Sequence, residues 1–176
     1  MIEVLKYVLP ALVVVLGIWF LQRSMLLTED KRRQWDLRRQ SQKEITPIRL
    51  RAYERLALLL ERTEPEVMLQ EIMRNSAGQM AQWTVIDLQR ELLQRVRLEF
   101  EHNLSQQVYV SDEVWQQIVH ARDEMGAFIT TMAARLPQGA TAMDYSKVLI
   151  EAYHSNGDTP HQIALDALKH ETRTLL

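Results

Sequence analysis

Apolar positions follow two regimes along this 176-residue chain. From Val4 to Leu21 they run almost unbroken, VLKYVLPALVVVLGIWFL, with Lys6 as the single charge. A helix crossing a bilayer core ~30 Å thick needs roughly 20 mainly apolar residues. This segment also lacks the polar face that a helix in water would show. From about residue 46 onward, apolar residues instead recur every three or four positions. That is the spacing of amphipathic helices packed on one another.

The first regime predicts a membrane anchor over residues 1–27. A cleaved secretory signal would place basic residues before the apolar run and a small-residue cleavage site after it. Here Arg23, Lys31, Arg32, Arg33, Arg38 and Arg39 all follow the run, and Gln22-Arg23-Ser24-Met25-Leu26-Leu27 offers no A-x-A site. A buried core helix is the other rival, but such a helix is rarely apolar for so long. Tyr7 and Trp19 sit towards the two ends, where amphipathic rings favour the headgroup layers. Pro10 and Gly17 are compatible with a spanning helix.

The second regime divides at its helix breakers. Thr46-Pro47 predicts an N-cap followed by proline at the first helical position, opening a helix to about Arg62 with Ile48, Ala52, Leu56, Leu59 and Leu60 on one side. Glu64-Pro65 starts the next, to about Arg74, with Val67, Met68, Ile72 and Met73 apolar. After the turn Asn75-Ser76-Ala77-Gly78 comes the longest element, about Met80 to Gln107. Its stripe is Val85, Leu88, Leu92, Val96, Phe100 and Leu104, and Glu91/Arg95 and Arg97/Glu101 are spaced as ion pairs on its other face. Ser111-Asp112-Glu113 is a cap with two acids at the positive end of a helix dipole. That helix runs to about Leu136 and Pro137. Ala142 to His154, with Met143, Val148, Leu149 and Ala152 inward, and Pro160 to about Thr172, with Ile163, Leu165 and Leu168 inward, complete the set.

The predicted fold class is therefore all-α: an N-terminal transmembrane helix (1–27), a basic juxtamembrane stem (28–45) and a compact helical domain of about six helices (46–176). The stem, TEDKRRQWDLRRQSQKE over residues 28–44, has too few apolar positions to bury a face. It reads as a solvated stalk or as a helix lying on the membrane with Trp35 and Leu37 dipped into the interface.

Charge gives an orientation. Residues 23–55 hold ten Lys and Arg against five acids, net +5, whereas residues 56–176 are net −7. Basic flanks stay on the cytoplasmic side, so the N-terminus is expected outside and the C-terminal domain in the cytoplasm. Arg23, Lys31, Arg32, Arg33, Arg38 and Arg39 are then placed to contact anionic lipid headgroups. The acidic remainder argues against a nucleic-acid partner, which needs a basic face. Cysteine is absent, which excludes disulfides, thiolate catalysis and Cys-ligated zinc.

Little else in the chain points to chemistry. The five histidines are His102, His120, His154, His161 and His170, and Glu99-x-x-His102 and Glu151-x-x-His154 have ligand spacing. A four-helix di-metal site needs two inward pairs of that kind plus two further glutamates, so both pairs are read as ordinary polar groups. No nucleophile elbow, phosphate loop, dinucleotide fingerprint or H-E-x-x-H occurs. No catalytic residue, metal or cofactor is therefore assigned. Met68, Met73, Met80, Met125, Met132, Met143, Trp83 and Trp115 are read as core filling.

Two stretches, PIRLRAYERLALLLER (Pro47–Arg62) and EFEHNLSQQVYVS (Glu99–Ser111), resemble an uncharacterised family of small bacterial proteins with one N-terminal span and a helical cytosolic domain. The resemblance implies a bacterial inner-membrane setting and carries no activity. The second stretch crowds Glu99, His102, Asn103, Gln106, Gln107 and Tyr109 where a long helix ends. They are expected either to hydrogen-bond the helix that starts at Pro47, through Tyr53 or Arg55, or to form a docking patch.

The functional expectation is a non-catalytic adaptor tethered to the bilayer that binds a protein partner at the cytosolic face. The alternatives are an accessory subunit of a larger respiratory or secretory membrane complex and, less favoured by the residues, a metal-dependent helical enzyme. Self-association through the span is left open, because Gly17 alone is no G-x-x-x-G motif.

Overall fold

The computed structural model describes residues 16–20, 23, 45–75, 79–155, 157 and 159–175. The chain divides into two compact units, residues 1–47 and 48–176. In the first, residues 16–20, 23 and 45–47 are helical. The remainder of the expected anchor and stem, including Lys31, Arg32, Arg33, Arg38 and Arg39, lies outside the described residues. Among the described residues, no helix is long and apolar enough to cross a membrane.

The second unit is built from helices. Residues 48–62 form α1, followed by α2 (Pro65–Asn75), α3 (Val85–Asn103), α4 (Asp112–Ala134), α5 (Ala142–Ser155) and α6 (Pro160–Leu175). Short 3₁₀ turns precede α3 (Gln79–Gln82) and follow it (Leu104–Tyr109). Helix-forming composition and the three-four spacing are sufficient cause for this architecture.

Two half-cores lie side by side. The first packs α2, α5, the N-terminal part of α3 and the C-terminal half of α4: Met68, Leu69, Ile72, Leu88, Leu92, Ile129, Tyr145 and Leu149 are all at most 2% exposed. The second packs α1 and α6 on the N-terminal half of α4, through Leu56, Leu59, Leu60, Ile118, Ala121, Ala164 and Leu168, with Phe100 added by the end of α3. The two long helices α3 and α4 thus join the halves.

Several boundaries differ from the sequence expectation. Ile45 and Thr46 are already helical, so Pro47 is not a first helical residue. A proline ring sets a φ compatible with the helical backbone there. The long element begins at Val85, not Met80, because Thr84 caps it. The Thr84 hydroxyl accepts from the Asp87 N–H at 3.2 Å, and the Asp87 carboxylate accepts from the Thr84 N–H at 3.1 Å. This capping box satisfies two otherwise orphan donors. Thr141 and Asp144 repeat it at the start of α5. The two boxes are neighbours: Thr84 and Thr141 form an isolated bridge, and Ala142 donates to the Trp83 carbonyl. At its other end α3 stops at Asn103 and tightens into the 3₁₀ turn instead of reaching Gln107.

Some apolar assignments also change. Val67, Met73, Met143 and Ile163 are exposed. Leu69, Tyr145 and Ala164, each one or two positions away, take the places of Val67, Met143 and Ile163 in the core. A helical stripe is wide enough for such a rotation to leave the period intact.

Candidate functional site

One cluster of polar groups in the second unit gathers on α6. Glu171 accepts from the Ser111 N–H at 3.1 and 3.2 Å, from the Ser111 hydroxyl, and from the Tyr53 hydroxyl at 2.6 Å. Arg49 lies 3.7 Å from the same carboxylate, donates to the Tyr53 oxygen at 3.2 Å, and donates to the Tyr109 carbonyl at 3.1 Å. Ser111 meanwhile caps α4 by accepting from Val114. One carboxylate therefore ties α1, α6 and the start of α4 together.

Its electrostatics follow from those contacts. Burial alone would raise the Glu171 carboxyl, but the hydrogen bonds from Ser111 and Tyr53 and the charge of Arg49 outweigh it and hold it below the usual carboxylate range. The Tyr53 hydroxyl is pushed up to about 12, by burial and by donating to that carboxylate.

The patch expected at the end of α3 divides. Asn103 and Gln106 are buried; Asn103 donates to the Glu99 carbonyl at 2.9 Å and Gln106 to the Ser105 hydroxyl at 3.2 Å. Gln107 is exposed, and the main chain of Tyr109 takes the bond from Arg49. Bonds from α1 do reach this region, but from Arg49 and Arg62, not from the expected Tyr53 or Arg55. Tyr53 is engaged by Glu171, on the α6 side.

Glu99 and His102 instead line an open groove of 1020 Å³ bounded by α2, α3 and the end of α1. Its charges are matched: Arg62 to Glu99 at 3.4 Å, Arg95 to Glu71 at 3.1 Å and to Glu91 at 2.8 Å. The i,i+4 pairs expected on α3, Glu91/Arg95 and Arg97/Glu101, are both made. Between the ion pairs the groove presents apolar surface, with Val67 at 38% and Leu98 at 53% exposure. Neither half of the groove stood out in the sequence. Val67 reads as one more core residue of α2, and Leu98 falls off the α3 stripe by two positions.

Among the described residues, no group of three or more His, Cys, Asp and Glu could hold an ion. Glu99 faces Arg62, and His154 lies 3.6 Å from Glu66 on the surface. In the first unit, the Arg23 guanidinium stacks over the Trp19 ring at 5.2 Å.

A family match spans residues 1–175. The chain belongs to the DUF7935 family. That family is described as one of unknown function. No curated protein and no solved structure matches this DUF7935 chain. The family match covers both the apolar N-terminal run and the helical unit, so the two regimes of the sequence belong to one family pattern.

Proposed function

We propose that this DUF7935 chain is a non-catalytic adaptor, held on a bacterial inner membrane by residues 1–27, that binds a protein partner through the groove between α2 and α3. The observation that carries the tether is the described turn 16–20. Leu16, Ile18, Trp19 and Phe20 are each more than half exposed within a helical stretch. Exposed apolar residues on every side of a helix are stable in hydrocarbon and costly in water. The Val4–Leu21 run extends the same character over the length that a bilayer requires. The basic residues behind it put the helical unit on the cytoplasmic side.

The groove supplies the docking surface. Its exposed apolar strip is flanked by fixed ion pairs, the arrangement that receives an amphipathic helix by its apolar anchors. Pairing within the groove leaves it near neutral, so the apolar anchors carry affinity and the charged rim sets register.

Carbonate washing of native membranes tests the tether. The chain is expected to stay in the pellet, and its helical unit to resist protease added outside intact cells. Recovery in the aqueous fraction, or digestion of the helical unit from outside, would overturn the reading.

A further inference from the structure

His161, in the first turn of α6, is 3% exposed. It walls a cavity of 360 Å³ together with Glu124, Met125 and Phe128 of α4, Tyr153 of α5, and Thr159. Burial pushes its imidazole down to about 4, so the ring is neutral near pH 7. A neutral imidazole has one N–H and one lone pair.

Thr63 stands against one of the two nitrogens. Its hydroxyl has two carbonyl acceptors, Leu59 and Leu60, 2.8 and 3.2 Å away. The same oxygen lies 3.0 Å from His161 Nε2. With its hydrogen on either carbonyl, that oxygen accepts from an Nε2–H. In that tautomer Nδ1 holds the lone pair, and it has no hydrogen-bond partner among the described residues. Buried acceptors are seldom left in that state.

The remaining wall narrows what would complete it. Phe128 and Tyr153 form a tilted ring pair with centroids 6.0 Å apart, and Met125 adds apolar surface. Glu124, exposed, supplies a carboxylate at the mouth, and among the described residues no Lys or Arg lines the cavity. Anionic ligands would meet a like charge with no cation to offset it. A cation with an aromatic body meets ring faces and a carboxylate. The volume lies in the range of small-molecule sites, roughly 300–1,000 Å³.

We propose that this cavity binds a small aromatic amine. The ring packs against Phe128 and Tyr153, a hydroxyl or ring N–H donates to His161 Nδ1, and the ammonium lies toward Glu124. Tyramine is the probe, with 4-hydroxyphenylacetate as its acidic counterpart sharing ring and hydroxyl. The full-length chain, labelled with ¹⁵N-histidine and methyl-labelled methionine and held in nanodiscs, is titrated with each and followed by NMR.

Tyramine is expected to bind saturably and to move the His161 Nδ1 and Met125 methyl signals. The acid is expected to bind roughly tenfold more weakly or worse, and Glu124→Gln, at an exposed position, to weaken tyramine about three- to fivefold. The proposal is overturned if tyramine gives no saturable shift at His161, if the two probes bind alike, or if Nδ1 carries the proton in the free protein.

Discussion

The two half-cores solve the same packing problem with different chemistry. Around α2 and α5 the interior is almost wholly apolar, and its polar work is done at the surface by the paired capping boxes of Thr84 and Thr141. The main exception is the Tyr145 hydroxyl, which donates to the Ile129 carbonyl. Around α1 and α6 the interior contains Thr63 and His161, and Glu171 gathers Tyr53, Arg49 and Ser111 beside it. An apolar core responds to volume and ignores pH. A core with titratable groups depends on their protonation as well. α4 runs through both, so one helix experiences both regimes.

Substitutions should separate the halves. The largest effect is expected in the apolar one. Leu92→Ala removes a fully buried side chain from a dense contact set and should cost about 3 to 4 kcal/mol, read as a Tm lower by roughly 10 °C. That loss should be the same at pH 7 and pH 5. A loss that grows with acidity would break the contrast.

Next comes acid sensitivity in the α1–α6 half. Unfolded, the His161 imidazole takes up a proton near 6.5; folded, near 4. Between those values the unfolded chain binds more protons, so stability falls as pH drops and levels off below about 4. The full loss approaches about 3 kcal/mol. Glu171 acts in the same direction further down: its contribution is present above about 4.5 and is lost as pH falls through its lowered folded value. Hydrogen exchange at pH 5 should therefore open α1 and α6 before α2 and α5. Simultaneous opening would contradict the assignment, as would an unchanged pH profile in His161→Phe.

Glu171→Ala should cost about 2 kcal/mol, because the Ser111 N–H and the Tyr53 hydroxyl lose their acceptor while half-buried. Denaturant unfolding measures it. Thr84→Ala should cost about 1 kcal/mol, the ordinary value of an N-cap, and should leave the His161 step between pH 6.5 and 4 in place.

The helical architecture was readable from period and punctuation because those signals are local. Pro65, the Ser111-Asp112-Glu113 start, Pro160 and the Leu88–Leu92–Val96 stripe each act within a turn or two of their own position. The start at Thr84 was equally local, since Thr-x-x-Asp is a capping box, but the apolar run from Met80 masked it. Glu171 and His161 were not readable. On sequence Glu171 belongs to a polar helix end, and only the fold brings it to Tyr53, 118 positions away. His161 gains its character from Thr63, 98 positions earlier. The groove fails in sequence for a related reason: exposure of Val67 and Leu98 depends on how α2 sits on α3, which no periodicity states.

The proposed docking role rests on the strip at Leu98, and one comparison tests it directly. Full-length wild-type chain and Leu98→Asp, each carrying an affinity tag, are recovered from native membranes in mild detergent and their copurifying chains quantified. Leu98 is half-exposed, so the variant should melt within about 0.5 kcal/mol of wild type. The account predicts a partner chain recovered in stoichiometric amount with wild type and lost with the variant. The same partner recovered equally with both would contradict it.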